Sequence, residues 1–144
     1  MNDHWRGVRR VLAAALWMMA LSACSSFDPE GDTPFTPPPE YRVWWNKTMA
    51  CSGLKADFDR VHWSVVDGYS FPCKSGQCVG HWESSHHIWI AKDWLNDEMV
   101  VRHEMLHDLI DHAGHPNPPF GPECPLTWET WNGGAAGLRV GKLD

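Results

Sequence analysis

The feature that most constrains this 144-residue chain is an apolar stretch, residues 100–110, that carries two histidines and a glutamate. Apolar residues cover most of its circumference, which predicts a helix buried in a domain core. On such a helix His103 and His107 lie one turn apart on the same side, and Glu104 is rotated by about 100° from His103. Unpaired buried polar groups are costly, and a metal ion bound by both histidines would pair them. Glu104 would then face a metal-activated water as a general base.

A catalytic metal site usually has three protein ligands, so the sequence must supply one more. We expect this third ligand to be His115. Gly114 is suited to end the helix and Pro116 prevents the helix from resuming, so the chain can turn His115 back toward the metal. Glu123 is an alternative third ligand.

Two residues closer to the helix histidines are less suited to direct ligation. A continuing helix turns His112 roughly 180° away from His103. Asp111 lies on the ligand side but a further turn along, which suits a carboxylate that accepts a hydrogen bond from His107. Both stay open as alternative ligands, and His115 remains preferred.

Residues 103–107, followed by residues 114–116 and Phe120, resemble the active-site region of the zincin metallopeptidases. More narrowly, the chain is similar to short bacterial lipoproteins with a zincin-like domain. The resemblance implies that the two helix histidines bind Zn²⁺ and that the glutamate between them activates water for attack on a peptide bond. The chain departs from the metzincin pattern, which has Gly and His where this sequence has Ile110 and Ala113.

The same resemblance supplies an expectation about the substrate. In zincins an edge strand just upstream of the metal helix pairs with the extended substrate backbone, and His87–Ala91 stands in that place. The substrate implied is a peptide or an envelope protein. The group that stabilises the oxyanion stays open among four residues: His81, His86, His87 and Tyr69.

The first 23 residues predict an export signal rather than a part of the fold. Three arginines precede an apolar run, residues 11–21, that is too short for a comfortable membrane span. Residues 21–24 match a lipobox, so a bacterial signal peptidase would cut before Cys24 and leave it lipidated, for example with palmitate. Ser25 rather than Asp follows, which favours the outer membrane if the host is Gram-negative. A plain secretory signal or a short membrane anchor is the alternative.

Residues 24–40 predict a tether, because five prolines, a glycine and several acidic residues do not build a packed core. Residues 41–144 then make one small domain. Subtracting the three arginines and one aspartate of the signal from 12 basic and 18 acidic residues leaves a formal charge of −8. The basic residues are not clustered, which argues against nucleic acid as a partner. We expect a monomer that meets the membrane only through its lipid.

Four cysteines remain once Cys24 is assigned to the lipid. An even number in an exported chain predicts two disulfides, which would help a domain too small to bury a large core. Three pairings exist, and we favour Cys73 with Cys78 across a short turn and Cys51 with Cys124. The alternative is a structural zinc site, but the spacings lack the paired C-x-x-C sequences typical of such sites.

The remaining patterns predict an α+β fold in which a small, mostly antiparallel sheet packs on the metal helix, as in zincins. A helix is expected from residue 41 toward Cys51, and Asn96 is expected to cap the metal helix. Alternating and β-branched segments predict three strands, of which the last two form a hairpin. These strands are residues 61–66, 78–83 and 87–91.

Segments after the metal helix are expected to be irregular. The proline-rich stretch 116–122 predicts a rigid loop from which Phe120 packs inward. Trp128 and Trp131 would dock a short helical turn, and residues 133–144 would form a loosely held tail.

The expected activity is zinc-dependent hydrolysis of a peptide bond at the bacterial cell envelope. The first alternative is a non-catalytic envelope lipoprotein that holds a structural zinc, with a protein ligand such as Glu123 in the fourth position. The second alternative is an interaction module whose His-Glu-x-x-His helix binds no metal. A fourth coordination position open to water would separate the enzyme from the first alternative.

Overall fold

The part of the chain that the computed structural model describes, residues 27–131, is an α+β fold with a mixed sheet and two α-helices. The predicted signal of residues 1–23, the predicted lipidation site Cys24 and the predicted tail of residues 133–144 lie outside the described residues. Neither α-helix within residues 27–131 is long and apolar enough to cross a membrane.

Four strands form the main sheet. They are β1 (Asp32–Pro34), β2 (His62–Val66), β5 (Gly80–Glu83) and β6 (His87–Ala91), in the spatial order β1, β2, β6, β5. The outer pairs β1–β2 and β5–β6 are antiparallel, whereas the central pair β2–β6 is parallel. The sheet is therefore mixed, because the hairpin of β5 and β6 docks on β2 through β6.

A second, two-stranded sheet precedes β5. Its strands β3 (Phe71–Cys73) and β4 (Gly76–Cys78) pair as an antiparallel hairpin. The single strand expected over residues 78–83 is thus divided, since Cys78 ends β4 and β5 begins only at Gly80. The predicted hairpin of β5 and β6 is confirmed, with His86 in its turn at a φ of 59°.

The first helix, α1 (Pro39–Ser52), confirms the helix expected to run toward Cys51. Proline at its first position suits a helix start, because its missing N–H would have no partner there. Gly53 ends α1 in the left-handed conformation, and its N–H bonds to the Met49 carbonyl. Trp45 of this helix is buried in the core beside the sheet.

The helix predicted to carry the metal ligands is α2 (Glu98–Ile110). Its cap is Asp97 rather than the expected Asn96, because the Asp97 carboxylate accepts a hydrogen bond of 2.9 Å from the Val100 N–H. It also ends earlier than Gly114. Asp111 takes the left-handed conformation that stops the helix, with φ 50° and ψ 46°. The turn back toward the histidines therefore has five residues from Asp111 to His115.

Part of the predicted tether belongs to the fold. Asp32–Pro34 forms β1, and the Phe35 N–H extends this pairing to the Trp63 carbonyl at 2.9 Å. Asp32 also accepts a hydrogen bond of 2.8 Å from the Trp89 indole. The prolines that suggested a tether fit these positions, since an edge strand and the first turn of a helix both tolerate a missing N–H.

The four cysteines pair as favoured from the sequence. Cys51 at the end of α1 is joined to Cys124, with Cα atoms 5.3 Å apart, and Cys73 is joined to Cys78 across the β3–β4 turn. The first bond fastens the segment after α2 to α1. Around it lies a small apolar cluster, which contains Leu106, Phe120, Cys124 and Leu126.

Candidate metal centre

Three histidine side chains converge on one point beside α2. The Nε2 atom of His103 lies 3.1 Å from Nε2 of His107 and 3.2 Å from Nε2 of His115. Together the three residues offer ligand atoms that all lie within 4.8 Å of one another, as a metal ion requires. The structure thus brings together the two helix histidines and the third histidine expected from the sequence.

Hydrogen bonds on the far side of two rings decide which nitrogen faces the centre. Nδ1 of His103 lies 2.6 Å from the Leu126 carbonyl oxygen, and Nδ1 of His107 lies 2.7 Å from the His112 carbonyl oxygen. A carbonyl oxygen only accepts, so each Nδ1 must carry the proton and donate it. Each neutral ring therefore presents an Nε2 lone pair to the centre, the arrangement typical of metal-binding histidines.

The group that accepts a hydrogen bond from His107 is not the one expected from the sequence. Asp111 is exposed and does not hold the His107 ring, because it occupies the left-handed position that ends α2. The early helix end instead turns the His112 carbonyl back toward His107. The imidazole of His112 is exposed and accepts a hydrogen bond from the Gly114 N–H at 2.8 Å. His112, Asp111 and Glu123 are not among the three clustered residues.

Burial keeps the two helix histidines uncharged. It lowers the pKa of His103 to about 4, partly offset by the Leu126 carbonyl, and lowers the pKa of His107 to about 3, with the neighbouring His103 adding to the effect. Both rings are neutral at pH 7 and need lose no proton to bind a metal. The Nε2 lone pairs of the neutral His103 and His107 rings, 3.1 Å apart, repel each other unless a cation lies between them.

Glu104 lies inside the protein next to this cluster. Its side chain is only 6% exposed, and burial raises the pKa of its carboxyl to about 8. The carboxylate reaches Gly80 in β5, where a Cβ atom would stand 2.6 Å from Glu104 Oε1. A buried carboxyl with a raised pKa beside a histidine cluster that could hold a metal ion is a typical candidate for acid–base chemistry.

Aromatic rings enclose the cluster on two sides. The Phe120 ring, 2% exposed, lies 5.3, 5.1 and 4.7 Å from the rings of His103, His107 and His115. Trp82 in β5 stacks at 20° on His107 with ring centroids 6.2 Å apart. His115 is exposed, so the cluster opens toward solvent on its side. The expected inward packing of Phe120 is confirmed.

A buried polar network behind His107 was not predicted. Asp108 is fully buried and accepts hydrogen bonds from Arg60 at 2.6 and 2.9 Å, from the Trp82 indole at 3.1 Å, and from His86 at 2.9 Å when Nδ1 carries its proton. Trp82 links this network to the His107 ring. The only sequence signal is an acidic residue in an apolar helix, which requires buried partners but does not name them.

A second unpredicted group, the exposed Glu129, lies near the cluster. Glu129 follows Leu126 in a turn closed by the Trp131 N–H on the Thr127 carbonyl at 2.8 Å. Hydrogen bonds from its own backbone N–H and from Thr127 lower the pKa of the exposed Glu129 carboxyl, and protonated forms of His115 and His103 would lower it further. A negative charge therefore lies close enough to His115 and His103 to interact with them.

The four residues considered for the oxyanion are not gathered at the cluster. Gly80 and Trp82 face α2, so His81 between them projects from the opposite sheet face, as does His87, whose ring lies against Trp89. His86 bonds to Asp108, and Tyr69 packs on Trp94.

The strand beside α2 also differs from the expectation. His87–Ala91, expected at the sheet edge, is β6 and lies between β2 and β5. The edge strand next to the helix is β5, because the hairpin folds it outward from β6. Comparisons of the chain with protein-family models, with curated proteins and with solved structures find no match.

Proposed function

We propose that this chain is a zinc-dependent peptidase of the bacterial envelope, related to the zincins and held by lipid on Cys24. The observation that carries the proposal is the convergence of three imidazole Nε2 atoms beside a buried glutamate, with one side open to solvent. The two disulfides support an exported protein, because such bonds persist in oxidising compartments.

The spacing of the histidines supports zinc. Nitrogen atoms bound to zinc at 2.0–2.1 Å in tetrahedral directions lie about 3.3 Å apart. The His103 Nε2 atom lies 3.1 and 3.2 Å from those of His107 and His115, close to this value, and all three ligand atoms lie within 4.8 Å of one another. Three imidazoles with a fourth position open are the ligand set of a catalytic rather than a structural zinc, since structural sites are closed by four protein ligands.

When bound, zinc would lower the pKa of a water molecule toward 7 and polarise the scissile carbonyl. Glu104 would accept the proton of the attacking water and later deliver it to the leaving amine. The Leu126 and His112 carbonyls hold the rings of His103 and His107 in the orientation that ligation requires. A positive charge at the imidazoles would also favour the ionised form of Glu104.

The edge of β5 suits an extended peptide. The Ala91 N–H bonds to the Val79 carbonyl at 2.9 Å, so in the antiparallel alternation Gly80 and Trp82 direct their N–H and C=O groups away from β6. These groups lie along the free edge of the sheet, next to Glu104. We infer that a substrate adds to this edge as a strand, with its scissile bond at the imidazole cluster.

The test combines metal content with hydrolysis of an unstructured peptide library. Wild-type protein should hold one zinc per chain and cleave peptides. Glu104→Gln should keep the zinc and lose at least a hundredfold in kcat. His103→Ala and His115→Ala should lose the zinc, whereas the matched control His112→Ala should keep both zinc and activity.

Three results would refute the proposal. Hydrolysis that survives in Glu104→Gln would exclude Glu104 as the general base. A folded wild-type protein that binds no zinc when zinc is supplied would leave the His-Glu-x-x-His helix as part of an interaction module. Zinc binding without hydrolysis of any peptide would favour the non-catalytic envelope lipoprotein.

A further inference from the structure

The backbone conformation at position 80 does not require a glycine. Glycine usually serves where φ is positive, as at Gly53 and Gly68, but Gly80 lies in the regular strand β5 without a positive φ. Glycine within a strand weakens it, and often marks a close approach by another group. At Gly80 that group is Glu104.

The space beside Gly80 is filled by the Glu104 side chain. A Cβ atom at position 80 would lie 2.6 Å from Oε1, 2.8 Å from Cγ and 3.0 Å from Cδ of Glu104. Non-bonded heavy atoms pack best at about 3.5–4.0 Å, so all three contacts are too short. Because the clash extends back to Cγ, rotation of the carboxylate alone cannot relieve it.

Glu104 also has little room to move aside. It is 6% exposed, and the next helix turn is fastened to the same strand, because Trp82 donates to Asp108 at 3.1 Å. Two strand residues span about 6.8 Å and four helix residues about 6 Å. Gly80 therefore lies beside Glu104 as Trp82 lies beside Asp108, and α2 cannot slide along β5 without breaking this match.

We propose that Gly80 is a positioning residue for Glu104: the missing side chain lets the Glu104 carboxyl lie directly against the edge strand. Any side chain at position 80 displaces that carboxyl while leaving His103, His107 and His115 in place. The kinetic consequence of this displacement rests on the proposed peptidase function. The steric coupling between Gly80 and Glu104 does not.

A double-mutant cycle on the full chain tests the coupling by itself. Gly80→Ala should lower the melting temperature of the chelator-treated protein by at least about 4 °C. In a Glu104→Ala background, which removes the three clashing atoms, Gly80→Ala should cause no loss. The matched control is the Glu98→Ala background, on the same helix but paired with Lys47 and Arg102, where the full loss should return.

Equal losses in the Glu104→Ala and Glu98→Ala backgrounds would overturn the proposal, and so would the absence of any loss in the wild-type background. If Gly80→Ala does not fold, the double variant with Glu104→Ala should still fold, and its failure to do so would also overturn the proposal.

The kinetic arm uses the zinc-loaded protein. Gly80→Ala should keep one zinc per chain and lower kcat at least tenfold, while KM changes less than threefold, because the displaced group acts on the attacking water. Loss of zinc, or a loss confined to KM, would overturn the positioning role. If wild-type protein hydrolyses no peptide, the proposed function fails and the melting-temperature cycle still decides the coupling.

Discussion

Replacing Glu104 by glutamine should stabilise the metal-free protein, and the gain should grow with pH. Burial raises the pKa of the Glu104 carboxyl to about 8 in the folded chain, against an ordinary value of 4.5. The unfolded chain thus releases this proton near pH 4.5, whereas the folded chain keeps it up to about pH 8. Because the folded pKa is raised, the stability linked to this proton is complete below pH 4.5 and is lost as pH rises through 8.

The size of the effect follows from the same two values. At pH 7, about 2.5 pH units above the unfolded pKa, the carboxyl costs the fold roughly 3 kcal/mol, since one unit corresponds to about 1.4 kcal/mol. Above pH 8 the cost levels off, at most near 5 kcal/mol. Glutamine has the same shape and does not ionise. The advantage of Glu104→Gln should therefore be near zero at pH 4.5 and increase by about 1.4 kcal/mol per pH unit up to pH 8.

Urea unfolding of chelator-treated wild type and Glu104→Gln at half-unit steps from pH 4.5 to 8.5 measures this difference. Protonation of His103 and His107 also destabilises the fold as pH falls below about 6.5, but it affects both proteins and cancels. Glu98→Gln, at a partly exposed position of the same helix, is the control. Parallel stability curves for wild type and Glu104→Gln would show that Glu104 ionises in the fold as easily as in water, and the assignment of a buried acid would be wrong.

Three further predictions concern the disulfides, the ion pair that supports α2, and the lipid proposed to anchor the protein. Replacing the Cys51–Cys124 disulfide by two alanines should lower the free energy of unfolding in urea by about 4 kcal/mol, and replacing the Cys73–Cys78 disulfide should lower it by about 2 kcal/mol. The difference is expected because the first disulfide closes a loop over 73 residues and the second over 5. Equal losses would contradict this reasoning. Arg60→Met should cost about 3 kcal/mol in the same assay by leaving the Asp108 carboxylate buried without its cation, and a neutral result would exclude that ion pair as a support of α2. Cys24→Ser should move the protein from the membrane fraction to the soluble fraction of the envelope, and retention in the membrane would exclude lipid on Cys24 as its anchor.

The three histidines of the candidate site could be predicted from the sequence, but the groups that hold their rings in place could not. The spacing of His103 and His107 is fixed by the helix period, and Pro116 limits the chain after the helix, so His115 could be found from local rules. The carbonyl groups that hold two of the rings, at Leu126 and His112, carry no sequence signal, because every residue has one. Which carbonyl is used depends on the exact end of α2.

The strand order and strand directions could also be predicted only in part from the sequence. Alternation identified β2 and β6, but their parallel pairing depends on how the β5–β6 hairpin docks, which is a long-range contact. The same docking puts β5 rather than β6 at the edge beside Glu104. Gly80 did carry a usable signal, since a glycine inside a strand pattern indicates a close approach, although not by which group.

Zinc binding should couple directly to the proton on Glu104. His103 and His107 are already neutral at pH 7, so their ligation releases no proton, whereas the Glu104 carboxyl, with a pKa of about 8, still carries most of one. A divalent cation at the imidazoles favours the carboxylate and should expel that proton. Calorimetric titration with zinc at pH 7 in buffers of different ionisation enthalpy should therefore find close to one more proton released by wild type than by Glu104→Gln. Equal release would mean that Glu104 does not sense the bound cation, and a carboxyl that does not sense the cation is too far from the metal-activated water to serve as its base.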